Sequence, residues 1–294
     1  MLSGEYAVMH GGTSVLVPVV RQFYIRESAN PRPLIYSLIM KAALSLPIPE
    51  IALFEKNNGL PGLEFDASEF YGKDEYGKNV KLGLGLSATE SVGTIALRME
   101  RAGLKWADHR ELVFKYADQV HRRVQGGRGS GADIAACAYA KPIKFRREGT
   151  QAFIDEIYLS ETYKNIPMNI YWSGSPADTR LHLDRFYNWL DTDKTAGQTI
   201  YDLIECSHDL ADLWFSGDYP ALKNCLEKYS QIMQNISQPA NLRYELSIHR
   251  RMREWAESRG GCAKPTGAGG GDMILLIGDL PVNDLDNLII PLTF

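Results

Sequence analysis

The stretch "LGLGLSATESVGTIALRMERAG", Leu82 to Gly103, decides how this chain is read. Glycines at 83 and 85 open it. Glycine is costly inside regular elements, so such a pair marks a tight turn or a close approach of backbone to something else. From Ser87 onward, Val92, Ile95, Ala96 and Met99 fall on one helical face, and Gly103 stands where a helix would stop. A glycine loop running into a helix is a phosphate cradle by its physics. Successive N–H groups converge on an anion, and the helix end adds about half a positive charge. Ser87 adds a hydroxyl able to donate to a phosphate or to ligate Mg²⁺. The pattern lacks the closing Gly-Lys-Ser/Thr of a Walker loop and is not the dinucleotide fingerprint. Taken alone, the stretch also fits a close helix–strand contact with no ligand.

Two further glycine clusters lie outward from it. "QGGRGSGAD", Gln125 to Asp133, places a carboxylate beside a flexible turn and before the small-residue helix "IAACAYA". A carboxylate there can align or deprotonate an acceptor, as phosphoryl transfer requires, or it can simply cap the helix. "KPTGAGGGD", Lys264 to Asp272, runs directly into the apolar strand "MILLI". Lys264 would serve as a point charge for phosphate, although a plain glycine turn before a strand fits as well. Arg122 and Arg123 suit the C-terminal end of a helix, where positive charge complements the dipole. Arg128 sits inside the glycine loop, where capping does not explain it. Arg180 follows "PADT", and arginine is suited to bidentate phosphate contact.

The chain has 294 residues, a formal charge of −4, 45% apolar and 23% charged residues. This is an ordinary globular composition, long enough for two domains, and it argues against a nucleic-acid surface, which is normally basic. Cys137, Cys206, Cys225 and Cys262 are widely spaced, with no Cys-x-x-Cys pair and no clustered histidines. That excludes the familiar zinc patterns and a disulfide framework. There is no apolar run of about eighteen residues and no signal peptide, so the expectation is a cytoplasmic protein without a membrane partner.

"TSVLVPVVRQFYIRE" (13–27) predicts strand with a bend at Pro18, and 31–46 a helix after a proline start. Helices are predicted after each of the first two glycine clusters and over "ADHRELVFKYADQVHRRVQ", and strands over "PIKFRREGTQAFIDEIYL". "MNIYW" reads as strand, Leu181 to Arg259 as a long helical stretch broken near Gly197 and at "SGDYP", and "DMILLIG" as strand. A short helix near "VNDLDNLI" and a strand "IPLTF" close the chain. The result is two α+β domains with a boundary around 155–168. "MLSGEYAVMHGG" starts with a turn-like Ser3-Gly4 before any strand is complete, so an expected first strand is missing or encoded upstream.

In order, "GEYAVMHGG", "GLGLSATES", "GSGADIAACAYA" and "KPTGAGGGD" resemble the galactokinase/homoserine kinase/mevalonate kinase/phosphomevalonate kinase (GHMP) superfamily over nearly the whole chain. Gly-Glu-Tyr-Ala-Val, "QGG-x-GSG-x-D-I-A", "SGSPADTR" and the aspartate closing "GAGGGD" are most similar to the phosphomevalonate kinase branch. The resemblance implies an α+β, two-domain GHMP kinase fold. Residues 1–160 would form a ribosomal-protein-S5-domain-2-like ATP-binding domain, and 161–294 a ferredoxin-like domain, with the active site in the cleft between these domains. It implies ATP and Mg²⁺ as cofactors, a small phosphorylated or hydroxylated acid as substrate, no nucleic-acid partner, and a monomer or homodimer. By matching motif, Gly83, Leu84, Gly85, Leu86, Ser87 and Ala88 would hold the ATP phosphates, with Ser87 the metal contact. Asp133 would be the catalytic aspartate, assisted by Lys264, and Gly267, Ala268, Gly269 and Gly270 would close over the transferred phosphate. Glu5, Tyr6, Arg128, Ser130, Gly131, Ser175, Thr179 and Arg180 would line the acceptor pocket.

Three departures stand out. Leu86 replaces the first serine of the usual Gly-Ser-Ser-Ala. The strand before "GEYAV", often bearing a lysine that assists transfer, is absent, so that role is unfilled or falls to Lys264 or a nearby arginine. A second Mg²⁺ acid is expected roughly a helical stretch before Asp133, where the chain reads "HRRVQ", and Asp118 lies further back. A phosphomonoester acceptor has a second pKa of about 6 and is already mostly a dianion at pH 7, so its kinase needs positive charge more than a base. The expected activity is therefore ATP-dependent phosphorylation of mevalonate 5-phosphate. Mevalonate, a sugar or heptose phosphate, or a nucleotide-binding paralogue without catalysis are the alternatives.

Overall fold

The computed structural model describes residues 1–74, 76–127 and 129–292. In chain order the first half carries β1 (Thr13–Leu16), β2 (Tyr24–Glu27), α1 (Leu38–Ser45), α2 (Ala52–Asn58), β3 (Leu63–Asp66), β4 (Tyr71–Lys73), β5 (Asn79–Lys81), α3 (Leu86–Arg101), α4 (Arg110–Val124) and α5 (Ala132–Tyr139). The rest carries β6 (Ile143–Glu148), β7 (Gln151–Glu156), α6 (Glu161–Lys164), β8 (Met168–Trp172), α7 (Thr179–Thr192), α8 (Ala196–Ser216), α9 (Tyr219–Ser237), α10 (Ser247–Glu257), β9 (Cys262–Pro265), β10 (Met273–Ile277) and β11 (Ile289–Pro291). No helix of the described residues is long and apolar enough to cross a membrane.

The chain divides into two compact units. Unit 1 comprises Met1–Val20, Gly72–Leu84 and Lys141–Phe294, and unit 2 comprises Arg21–Tyr71 and Gly85–Ala140. These are spatial bodies assembled from separate stretches, and the family division at residue 160 stands beside them as a proposal.

Unit 1 holds the two larger sheets, besides the two-stranded β4-β5. In the four-stranded one the order is β11-β8-β10-β9, every pair antiparallel. Counted along the chain this is fourth, first, third, second, the order of the ferredoxin-like βαββαβ arrangement. Four helices fill its first crossover, and the second is reduced to a 3-10 turn, Val282–Asp284. The run "MILLI" is apolar throughout because β10 is buried on both faces. Met273, Leu275 and Ile277 join one core cluster and Ile274 and Leu276 another, the period of two that a strand imposes. β1, β6 and β7 form the second sheet as antiparallel neighbours. Leu2 N–H donates to the Val15 carbonyl at 2.8 Å, so the start of the chain is tied to β1.

Unit 2 packs α1, α3, α4 and α5 around Ile39, Ile95, Met99, Val113, Val120 and Ile134. A buried Arg98 grips both carboxylate oxygens of Glu55 at 2.8 Å and the Ala43 carbonyl at 2.5 Å, joining α3 to α2 and α1.

Several sequence expectations take a different local form. The strand expected over 13–27 is two strands, interrupted from Val17 to Phe23, because Pro18 cannot donate to a ladder. The helical stretch from 181 to 259 starts at Thr179, where Asp178 caps α7 by accepting from Leu181 N–H at 3.0 Å. It breaks at 193–195, at 217–218 and again at 238–246, where Pro239 stands two residues past the end of α9. Residues 262–265, to which the sequence assigns no element, are strand β9.

Gly4 has φ +93°, and a Cβ there would lie 2.3 Å from the Thr13 carbonyl oxygen and 2.5 Å from the Ser14 Cα. Both obstacles are backbone. Gly4→Ala is therefore expected to lower unfolding free energy by about 3 kcal/mol in urea titration. Gly11→Ala, in a plain left-handed conformation at φ +89° and ψ −1° with nothing within 4 Å, should cost only about 1 kcal/mol. Equal losses at the two positions would contradict this packing.

Candidate active site

In unit 1 the alternation along β9 places Lys264 on the same face as Cys262, inside the larger core. An ammonium there needs a counter-charge. Glu5 supplies it: the Lys264 Nζ donates to Glu5 Oε1 and, at 2.7 Å, to the Pro265 carbonyl. Glu5 is 2% and Lys264 4% exposed. Glu5 reaches this position through a sharp turn. Gly4 is left-handed and Tyr6, with φ 59°, is one of few non-glycine residues in that region. The Tyr229 hydroxyl donates to the Glu5 carbonyl, and the Tyr6 hydroxyl donates to the Ala268 carbonyl at 2.8 Å. Burial first, and then the Glu5 charge, push the Tyr6, Tyr229 and Tyr244 phenols up, so all three stay neutral.

Above this pair runs the loop 266–272. Gly267, Gly269 and Gly270 have φ of 74°, 73° and 74°, and Gly271 has φ 147°. A Cβ on Gly269 would lie 2.4 Å from the Tyr244 carbonyl oxygen, so glycine is required by close approach as well as by φ. Gly270 N–H donates to that carbonyl at 3.0 Å, while among the described residues the N–H groups of Gly267, Ala268 and Gly269 meet no acceptor. Three successive unengaged donors in a glycine turn are the kind of backbone from which anion-binding nests are built.

Asp272 closes the loop and laces it to neighbouring segments. Its N–H donates to the Ser175 carbonyl at 2.8 Å and its carboxylate accepts from Ala177 N–H at 3.0 Å. Gly83 packs so tightly against it that a Cβ would lie 2.1 Å from the carboxylate carbon. Burial raises the Asp272 pKa, and the bond from Ala177 opposes that shift. His182, on the first turn of α7, donates from Nδ1 to the Asp178 carbonyl at 2.9 Å. Its buried Nε2 has no partner, and a Cβ on Gly270 would lie 2.5 Å from it. Ser175 is half-buried, and Thr179 and Arg180 are exposed at the start of α7.

In unit 2, Gly85 is the left-handed residue that starts α3, with no side chain capping the helix. The first-turn amides of Leu86, Ser87 and Ala88 stand where an anion is favoured. Leu86 is buried, its side chain taking a place in the packing rather than presenting a hydroxyl. Ser87 Oγ lies 3.2 Å from His121 Nε2, which also meets Gln125 Nε2 at 3.0 Å and stands 4.0 Å from Asp133 Oδ2. Asp133 is in the first turn of α5 behind Gly131, which is left-handed, and Ser130 Oγ accepts from Ala132 N–H at 3.2 Å. The Asp133 side chain is 46% exposed.

Ser, His and Asp together suggest a nucleophile relay, but here hydroxyl and carboxylate face the same ring nitrogen. A relay needs the carboxylate on Nδ1 and the hydroxyl on Nε2. The set instead offers one hydroxyl and one accessible carboxylate. Among the described residues no cluster of three or more His, Cys, Asp or Glu forms a metal cage. That donor set suits Mg²⁺, which is commonly held by one or two carboxylates with phosphate oxygens and water completing the octahedron.

Sequence reasoning missed His121, which stands in the very "HRRVQ" segment where an acid was sought, and His182, for which no motif gave a signal. Asp118 is buried on α4, one turn before His121. Arg122 and Arg123 lie in the last turn of α4, in keeping with a dipole role. Arg128 lies outside the described residues.

No family model matches the chain. A curated relative, the phosphomevalonate kinase of Streptomyces sp. (strain CL190), is 24% identical over 239 residues, or 75% of this chain and 62% of the relative. The chain thus spans less than two thirds of that relative's length. Among solved structures, the Lin0012 protein from Listeria innocua matches with TM-score 0.77 at 21% identity, covering 98% of this chain and 94% of that one. Streptococcus pneumoniae phosphomevalonate kinase in complex with phosphomevalonate and AMPPNP matches with TM-score 0.73 at 17% identity, covering 94% and 89%. L. major mevalonate kinase in complex with R-mevalonate gives TM-score 0.68 at 16%, covering 99% and 93%. The chain therefore has the α+β GHMP kinase fold, the fold that its sequence motifs imply.

Lys264→Met and Glu5→Gln, each leaving a buried group without its partner, should each lose about 3–5 kcal/mol of stability in urea unfolding. The double variant Glu5→Leu/Lys264→Met should lose much less than the sum. Single variants within about 1 kcal/mol of the wild type would show that the pair is not buried as described.

Proposed function

We propose that the chain is an ATP- and Mg²⁺-dependent kinase that transfers the γ-phosphoryl group of ATP to mevalonate 5-phosphate, giving the 5-diphosphate for isoprenoid synthesis. The observation that carries the reading is the loop 266–272, whose successive unengaged N–H groups are held in place by left-handed glycines and by the Tyr6 hydroxyl on the Ala268 carbonyl. Such a loop binds a phosphoryl group with little reorganisation, which is what transfer of an anion to an anion demands.

In this reading the start of α3 takes the ATP phosphates on the amides of Leu86, Ser87 and Ala88. Ser87 Oγ and the Asp133 carboxylate are the groups that would hold Mg²⁺, which when bound neutralises phosphate charge. His121 positions Ser87. Asp133 orients the acceptor phosphate, an already ionised nucleophile at pH 7. Gly267 to Gly270 enclose the transferred group, with Lys264 held beneath them by Glu5. Tyr6, Ser175, Thr179 and Arg180 recognise the acceptor, and Arg180 supplies charge for its phosphate. Streptococcus pneumoniae phosphomevalonate kinase, which shares the fold, is in complex with phosphomevalonate and AMPPNP in its solved structure, and this supports the reading.

ADP release with Mg-ATP tests the proposal, with mevalonate 5-phosphate, mevalonate and a panel of sugar phosphates offered in parallel. The expected result is turnover on mevalonate 5-phosphate alone, reduced at least about 100-fold by Asp133→Ala. Arg180→Gln should raise KM for the phosphorylated acceptor about 10-fold or more while leaving KM for ATP in place. Turnover on mevalonate instead, with Arg180→Gln neutral, would move the acceptor to a simple alcohol. ATP binding without turnover on any acceptor would favour a paralogue that has lost catalysis.

A further inference from the structure

α8 and α9 are joined by only two residues, 217 and 218, and pack side by side as a helical hairpin. Between them Cys206 and Cys225 meet with their sulfurs 3.6 Å apart. Each thiol also lies against the other's backbone carbonyl, Cys206 Sγ at 3.7 Å from the Cys225 oxygen and Cys225 Sγ at 3.8 Å from the Cys206 oxygen. Both are free thiols; Cys206 is fully buried and Cys225 partly exposed. Nothing in the proposed phosphoryl transfer uses either one.

We propose that Cys206 and Cys225 are a redox-active dithiol that closes to an intrachain disulfide when hydrogen peroxide or an organic hydroperoxide oxidises it. The geometry is already that of a reaction complex. The sulfurs are at van der Waals contact and need to approach by about 1.5 Å to reach a bond of about 2.05 Å. The two thiols are also differentiated. Cys225 is the more accessible of the two, while Cys206 is buried behind it, and the contact between them lowers the Cys225 thiol while it and burial raise Cys206. The other two cysteines provide the contrast, burial pushing Cys137 up to about 11 and Cys262 up to about 12.

The chemistry balances as follows. The Cys225 thiolate attacks one peroxide oxygen, an S–O bond forms, the O–O bond breaks, and the departing hydroxide takes a proton to become water. The Cys206 sulfur then attacks the sulfenic sulfur of Cys225, the S–S bond forms and the S–O bond breaks. The Cys206 proton leaves with that oxygen as a second water. Two thiols have lost two electrons to one peroxide. The cross-link falls beside the contacts that tie this hairpin to the start of the chain. Cys225 is one turn before Tyr229, which holds the Glu5 carbonyl, and Ser207, next to Cys206, accepts from Thr13 N–H at 3.0 Å.

The test treats the full chain, folded and free of reductant, with a small excess of hydrogen peroxide, then counts thiols after quenching and unfolding. The expected count falls from four to two, peptide mass mapping finds residues 206 and 225 linked, and a dithiol reductant restores all four. In Cys206→Ser the reaction should stop at a Cys225 sulfenic acid that dimedone traps, and Cys225→Ser should react at least about tenfold more slowly than wild type. The proposal is overturned if all four thiols of the wild type survive the treatment. It is equally overturned if the lost pair includes Cys137 or Cys262, or if Cys225→Ser reacts as fast as wild type.

Discussion

A lysine on the core face of an edge strand and a glutamate from the first turn of the chain set the terms for the rest of unit 1. Neither can stay charged and buried alone, so each fixes where the other's segment lies. Around the pair the phenols of Tyr6, Tyr229 and Tyr244 are kept neutral by burial and by the Glu5 charge. One of them reaches to the Ala268 carbonyl and another to the Glu5 carbonyl. The Glu5 Oε2 is left without a partner. A buried pair with an unsatisfied oxygen adds little net stability over well-packed apolar residues. Its physical contribution here is position: it brings the turn at residues 4–6 beneath the glycine loop.

The loop then inherits a shape that only its composition allows. Left-handed conformations at 267, 269 and 270, the approach of Gly269 to the Tyr244 carbonyl and of Gly271 to the Ser175 carbonyl all exclude a Cβ. Asp272 ties the far end to residues 175 and 177. The result is a row of backbone donors that no protein acceptor engages among the described residues. In unit 2 the same economy recurs with different parts, a left-handed glycine opening α3 and a serine set by His121. The fold alone does not select the acceptor.

Much of this was legible in the sequence, and the remainder has definite physical reasons. Glycine clusters before a helix or strand are readable because φ > 0 and close approach are local demands, and Gly83, Gly85, Gly131 and Gly267–Gly271 met them. "MILLI" and "MNIYW" were readable as buried strands, and the period of Val92, Ile95 and Met99 gave α3. β9 was not, since Cys-Ala-Lys-Pro has no β-branched residue and becomes strand only by pairing with β10. The break at 238–246 was legible in Pro239, two residues past α9, a stop signal that the sequence reading passed over. Glu5 and Lys264 are 259 residues apart, a pairing that no local pattern encodes. His121 was hidden by expectation, the segment being searched for a carboxylate when the residue facing Ser87 is an imidazole.

The central claim is that one ion pair holds both the 3-10 turn Ala7–His10 and the glycine loop in place. Amide hydrogen exchange on the wild type and on Lys264→Met measures this directly. The amides of Val8 and Met9 in the turn, and of Gly270 and Asp272 in the loop, which are hydrogen-bonded to Gly4, Tyr6, Tyr244 and Ser175, should lose protection together, by about tenfold or more, while α3, α4 and α5 keep theirs. Unchanged exchange in the glycine loop, or loss confined to one of the two segments, would contradict it.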